Sequence, residues 1–84
     1  MTIWRVKVEV SPRSGIADPA GATIERSLPA LGFENVQNVR LGKLIRLEIE
    51  AENREAVEKL ISDMCERFLT NPVIEDSCVE ISES

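Results

Sequence analysis

Chemistry in this chain would have to come from carboxylates, lysines, arginines and hydroxyls, because its 84 residues include no histidine and no tyrosine. Histidine is the commonest general base and the usual partner of a serine or cysteine nucleophile. Its absence also removes the ordinary ligand sets for zinc and haem. Two cysteines remain, Cys65 and Cys78. Cys65 falls on the apolar stripe of a helical pattern, where a free thiol behaves as a small inert hydrophobe. Cys78 falls on the outward side of a strand pattern, exposed in a monomer and covered in a dimer. Glu48 and Glu50 are alternate residues of one strand face, a charged surface rather than an acid/base pair. The chain therefore works through its shape and surface, or serves chemistry done by something else.

A chain of this length makes one domain, residues 1–84, and folding buries only roughly 60 to 65% of the surface of the unfolded chain. Association is the natural supplement to so small a core. Hydrophobic residues make up 43% and charged residues 30%, which places the chain among globular domains. A formal charge of −5 has the wrong sign for phosphate-driven binding, so nucleic acid is not an expected partner. No apolar run has the length of a membrane span, and Met1-Thr2-Ile3-Trp4-Arg5 does not open a signal peptide. Separated cysteines fit a reducing, cytoplasmic setting.

The elements that must position any site follow from periodicity. Trp4, Val6, Val8 and Val10 alternate with Arg5, Lys7 and Glu9, the signature of a half-buried strand over residues 3–10. Ser11 to Gly15 reads as a loop, and Asp18-Pro19 as an N-cap with proline at the first helical position. The first helix is expected from Pro19 to Leu31, with Ile24, Leu28 and Leu31 inward, a late kink at Pro29, and Gly32 as a left-handed stop. Val36, Val39 and Leu41, followed by Ile45, Leu47 and Ile49, predict two strands joined in a hairpin at Gly42-Lys43. Asn53 caps a second helix carrying Ala56, Val57, Leu60, Ile61, Met64, Cys65, Phe68 and Leu69 at helical spacing. Asn71-Pro72 ends it. A last strand spans about Val73 to Ile81, and residues 82–84 are expected to form a frayed acidic tail.

The order βαββαβ predicts an α+β, ferredoxin-like domain, a four-stranded antiparallel sheet with both helices on one face. The other face would show Arg5, Lys7, Glu9, Arg46, Glu48, Glu50, Cys78 and Glu80. That face lacks the aromatic rings with which RNA-recognition domains of this topology stack bases. The first loop, Ser11 to Asp18, lacks the Cys-x-x-Cys of copper carriers. Arg13 and Asn38 could be cast in an acylphosphatase role, but the loop lacks that family's glycine pattern. A ligand-sensing regulatory domain of the ACT type stays open as the alternative.

Three stretches go beyond fold class: Gly15-Ile16-Ala17-Asp18-Pro19-Ala20-Gly21, Val39-Arg40-Leu41-Gly42-Lys43 and Asn71-Pro72-Val73-Ile74-Glu75-Asp76. In this order and at these element boundaries, the chain from Trp4 to Ile81 resembles the PurS family, the small subunits of phosphoribosylformylglycinamidine (FGAM) synthase. The resemblance implies a place in purine biosynthesis, beside a PurQ-type glutaminase that releases ammonia and a PurL-type synthetase that uses it. It implies ATP and Mg on the synthetase, no cofactor or metal here, and no catalytic residue in this chain. The implied role is a homodimeric adaptor, or a dimer of dimers, that joins the two enzymes and helps keep the ammonia route closed. The isolated chain is expected to be inactive. Against relatives, Ser77 stands where an aromatic residue is common and Pro29 interrupts the first helix.

Each stretch is first a structural device, fixing a helix start, a turn or the approach to a strand. Exposed charges contribute little to stability, which makes Arg40, Lys43, Glu75 and Asp76 the expected partner contacts, with Asn71 and Arg13 behind them. On that reading, charge reversal at Arg40 or Lys43 leaves the isolated fold intact and weakens assembly.

Overall fold

The computed structural model describes residues 1–83. The chain runs β1 (Thr2–Pro12), α1 (Pro19–Ser27), a 3-10 turn (Pro29–Leu31), β2 (Lys43–Ala51), α2 (Arg54–Met64), a π-helical turn (Cys65–Leu69) and β3 (Glu75–Glu83). Among the described residues the sheet has three strands in the order β2-β1-β3, both pairings antiparallel.

β1 is central because its alternation lets it bury one face along its whole length. Val6, Val8 and Val10 are buried, together with Ile49 and Ala51 of β2 and Val57, Ile61 and Cys65 of the second helical segment. Trp4 covers the far end, where its indole Nε1 donates to the Ala51 carbonyl at 3.3 Å. The opposite face carries the expected charges, with Lys7 directly across from Arg46 and Glu80. Asn53 caps α2 as anticipated, its Oδ1 accepting from Ala56 N at 2.8 Å.

Several expectations need correction. The run Val36–Leu41 is not a strand, so the chain is βαβαβ with three strands rather than βαββαβ with four. A strand presents alternate N–H groups to one neighbour, and here those of Val39 and Leu41 are taken by the carboxylates of Glu25 at 2.9 Å and Asp18 at 2.8 Å. The Gly42-Lys43 hairpin goes with it. Gly42 is instead a close-approach glycine, where a Cβ would collide with the Val10 carbonyl.

Only α2 covers the sheet, so the two helices do not share its face; the buried residue of α1 is Gly21. The α-helical part of the first helix stops at Ser27 rather than Leu31. Pro29 has no N–H to continue the ladder, and the chain tightens into i→i−3 bonds from Leu31 to Leu28 and from Gly32 to Pro29. Gly32 then ends it at φ 97°, and Phe33 N returns to Leu28 O at 3.1 Å, as expected of a left-handed stop.

Finally, Ser82 and Glu83 are not a frayed tail but the end of β3, opposite Arg5 and Trp4. Ser84 lies outside the described residues. Residues 72–74 form a turn, and β3 begins at Glu75 rather than Val73.

The resulting protomer is long, 52 × 27 × 14 Å, with a radius of gyration of 16.5 Å. A compact chain of this length would have about 12 Å. Residues 13–42 form an arm beyond one end of the sheet, and several of its apolar side chains are uncovered, Leu31 at 71% and Phe33 at 56%.

Candidate functional site

The end of β1, the start of β2 and the start of β3 meet at one end of the sheet, because both pairings are antiparallel: Lys43 lies opposite Val10, and Glu75 opposite Pro12. All six residues singled out as partner contacts fall at this end. Distance in sequence had hidden that they share one place.

Asp18 is the hub. It caps α1, Oδ1 accepting from Gly21 N at 3.1 Å, while Oδ2 accepts from Leu41 N at 2.8 Å and lies 3.9 Å from Arg40 Nε. The Leu41 bond above all, then the Gly21 bond, holds its carboxyl below the usual carboxylate range; the Arg40 charge adds a smaller pull, against partial burial. Gly21 is glycine because a Cβ there would strike both the Asp18 carboxylate and the Val39 carbonyl.

Arg40 turns inward upon the chain. Its Nη2 donates to the carbonyls of Pro12 at 2.8 Å and Arg13 at 3.0 Å, tying the end of β1 to the approach to β2. Arg13 carries the link onward: its backbone N donates to Ile74 O at 2.8 Å, its Nε to Pro72 O at 3.0 Å, and its Nη1 lies 3.5 Å from Asp76 Oδ1. Asn71 and Glu75 close the far side. Asn71 N donates to Glu75 Oε1 at 2.8 Å, Asn71 Oδ1 accepts from Val73 N at 3.2 Å, and the Asn71 carbonyl accepts from Ile74 and Glu75 N. Lys43 stands apart as an exposed side chain on the first residue of β2, with no hydrogen bond or ion pair among the described residues.

Five of the six residues thus belong to one hydrogen-bonded elbow. Asp18, read from the sequence as a cap, and Glu25, not singled out there, turned out to be the groups that hold residues 39–41 to α1. Asp18 was legible as a cap, but nothing local signals its second acceptor role 23 residues away.

The elbow contains no nucleophile beside a base, and among the described residues no three Cys, Asp or Glu side chains are grouped to hold a metal ion. Cys65 is buried and Cys78 exposed, both free. Charges are spent on bracing an arm, and apolar side chains beside them are left open.

Comparison with known proteins agrees. The profile of the family described as "PurS: Phosphoribosylformylglycinamidine (FGAM) synthase" matches residues 5–83. The FGAM synthase subunit PurS of Bacillus subtilis is 38% identical over 96% of this chain and 95% of its own, and that of Thermotoga maritima 42% over 90% and 93%. Among solved structures, B. subtilis PurS superposes with a TM-score of 0.85 at 39% identity, covering 95% of this chain and 99% of that one. A chain in the structure of PurLQS from T. maritima gives 0.85 at 40% identity with full coverage of both. The chain belongs to the PurS family.

Proposed function

We infer that this chain is the non-catalytic small subunit of an FGAM synthase, acting as an adaptor between a PurQ-type glutaminase and a PurL-type synthetase. The observation that carries this reading is end-to-end similarity to a chain of the T. maritima PurLQS structure, in a sequence without histidine. The complex converts formylglycinamide ribonucleotide to the amidine, with glutamine as the nitrogen source, and ATP and Mg belong to the synthetase. This chain contributes geometry: it holds the partners so that ammonia passes between them without escaping. The ACT-type alternative finds no observation in its favour.

The working form is a homodimer, or a pair of such dimers, in the cytoplasm. Support comes from the elongated shape, with a radius of gyration well above the compact value, and from large apolar side chains left open, Phe68 at 87% and Val73 at 78%, surface that soluble monomers rarely show in quantity. No helix among the described residues is long and apolar enough to cross a membrane.

The elbow end, with Lys43, Glu75 and Asp76 on its surface and Arg40, Asn71 and Arg13 bracing it, is the surface offered to a partner enzyme. Its clean probe is Lys43, since reversing Arg40 would also break the elbow. Lys43→Glu is expected to leave the isolated fold unchanged and to weaken co-elution with the two partners; unchanged co-elution removes the elbow as the contact. The whole reading is tested by reconstitution. Added to the PurL-type and PurQ-type subunits, the inert chain should restore glutamine-dependent amidine formation while leaving ammonia-dependent formation nearly unchanged. Equal glutamine-dependent rates with and without it would refute the adaptor role.

A further inference from the structure

β3 lies at one edge of the sheet, and its free side is closed at both ends and open in the middle. Arg13 N donates to Ile74 O at 2.8 Å, continuing the ladder past the Pro12–Glu75 pair. Even-numbered residues of β3 therefore turn their N–H and C=O groups toward β1, and odd-numbered residues turn theirs outward. Of the outward set, Glu75 N is taken by the Asn71 carbonyl at 2.8 Å, and Ile81 O accepts from Arg54 Nη1 at 3.0 Å. Between these two stops, the N–H and C=O groups of Ser77 and Val79 have no partner among the described residues. Proteins that guard an edge against pairing blunt it where it could pair; here the closures stop short of the middle.

The opening lies in a groove of about 590 Å³ between β3 and α2, with an apolar lining from Ile61, Cys65, Val79 and Ile81. Its charges are Arg13 and Arg54 against Glu58, Glu66, Glu75 and Asp76. Both arginines are engaged, Arg13 3.5 Å from Asp76 and Arg54 3.2 Å from Glu58. Glu66, Glu75 and, on the outer face of β3, Glu80 form no ion pair among the described residues. We propose that an extended, basic segment of a partner enzyme adds to the free edge of β3 as a fourth strand, bonded to Ser77 and Val79, with Lys or Arg side chains toward these carboxylates. This rests on the adaptor reading above and names the contact: the elbow end, with Glu75 and Asp76, continues into the groove. Side chains of an added strand alternate between faces, so one set enters the groove beside Val79 and Ile81 and the other lies near Glu80. Main-chain bonds supply affinity, and the two rows of side chains supply selection. A second copy of β3 fits poorly, because setting Ser77 opposite Val79 would bring Asp76 against Glu80 in both directions.

The test is hydrogen exchange at single-amide resolution, on the chain alone and on the complex with its PurL-type and PurQ-type subunits in glutamine, ATP and Mg. The Ser77 and Val79 amides should exchange freely in the chain alone and slow by about tenfold or more in the complex, while Cys78 and Glu80, paired with β1, stay slow in both. Ser77→Pro removes an outward N–H and spares the ladder to β1; it should raise the dissociation constant of the complex about tenfold. Ser77→Ala keeps the N–H and should bind as the parent does. Glu66→Lys should slow association, more at low salt than at high. Exchange is read on the unaltered chain, so it decides the matter even where Ser77→Pro misfolds. Ser77 and Val79 amides that exchange as fast in the complex as alone, in a chain that restores glutamine-dependent amidine formation, would overturn the added strand and leave the adaptor role standing. A folded Ser77→Pro chain that binds as tightly as the parent, or equal losses in Ser77→Pro and Ser77→Ala, would do the same. A chain that neither binds the two subunits nor restores that activity would overturn both readings.

Discussion

The sheet and the arm are built on different physics. In the sheet, Val6, Val8 and Val10 are almost completely removed from water and Ile61 sits on them; burial of this kind is insensitive to which particular hydrogen bonds are made nearby. In the arm, residues 13–42 bury little, and their conformation depends on a few directed bonds from Asp18, Glu25 and Arg40. The first region is stable within one protomer. The second is shaped by directed bonds within the chain and leaves Leu31 and Phe33 open.

The largest effect should come from the sheet. Ile61→Ala removes a side chain that is 2% exposed and should cost about 2 to 5 kcal/mol in urea unfolding. Leu31→Ala in the arm of a diluted chain should stay within about 0.5 kcal/mol. Equal losses would mean that the arm is part of the folded core. Next in size is Gly21→Ala, which forces α1 away from the Val39 carbonyl at a cost of about 1 to 3 kcal/mol, with amide exchange accelerated in residues 39–41 and not in β1.

Asp18→Ala should be more local still. It frees the amides of Gly21 and Leu41, so both should exchange faster while Val6 and Val8 keep their protection. Acid should do the same without mutation. The folded carboxyl titrates below its ordinary value of 3.8, so its contribution is complete above that pH and is lost as pH falls through the lowered folded value. The Leu41 amide resonance, followed downward from pH 5, should move in that window and be flat in Asp18→Ala. The smallest effect is expected at the exposed pair of Lys59 and Glu55, 3.9 Å apart on α2, where Lys59→Ala should change stability by roughly 0.5 kcal/mol or less.

Much of the sheet was legible because its signals are local. Alternation alone identifies β1 and its inward valines, and Asn53 and Asp18 announce helix starts through side-chain acceptors three residues from their donors. The three stretches that mark the family were also readable, as was their charge. What could not be read was that five of the six charged and polar positions brace one another. Arg13, Arg40, Asn71, Glu75 and Asp76 come from three separate segments, and only the antiparallel register of β1 with both neighbours brings them to one end. The missing strand has the same cause. Val39 and Leu41 stand two apart as on one strand face, but carboxylates 14 and 23 residues distant claim the N–H groups that a sheet would need.

By itself, then, the order of amino acids determined the absence of a histidine-based site, the family, the inward faces of β1, β2 and α2, and the points at which the helices begin. Each of these depends on residue type or on spacing within one or two turns. Only the tertiary structure decided that the sheet has three strands, that α1 stands away from it and that Arg40 is a brace. Those outcomes depend on which distant group reaches a backbone N–H or carbonyl first, a competition that no local pattern records.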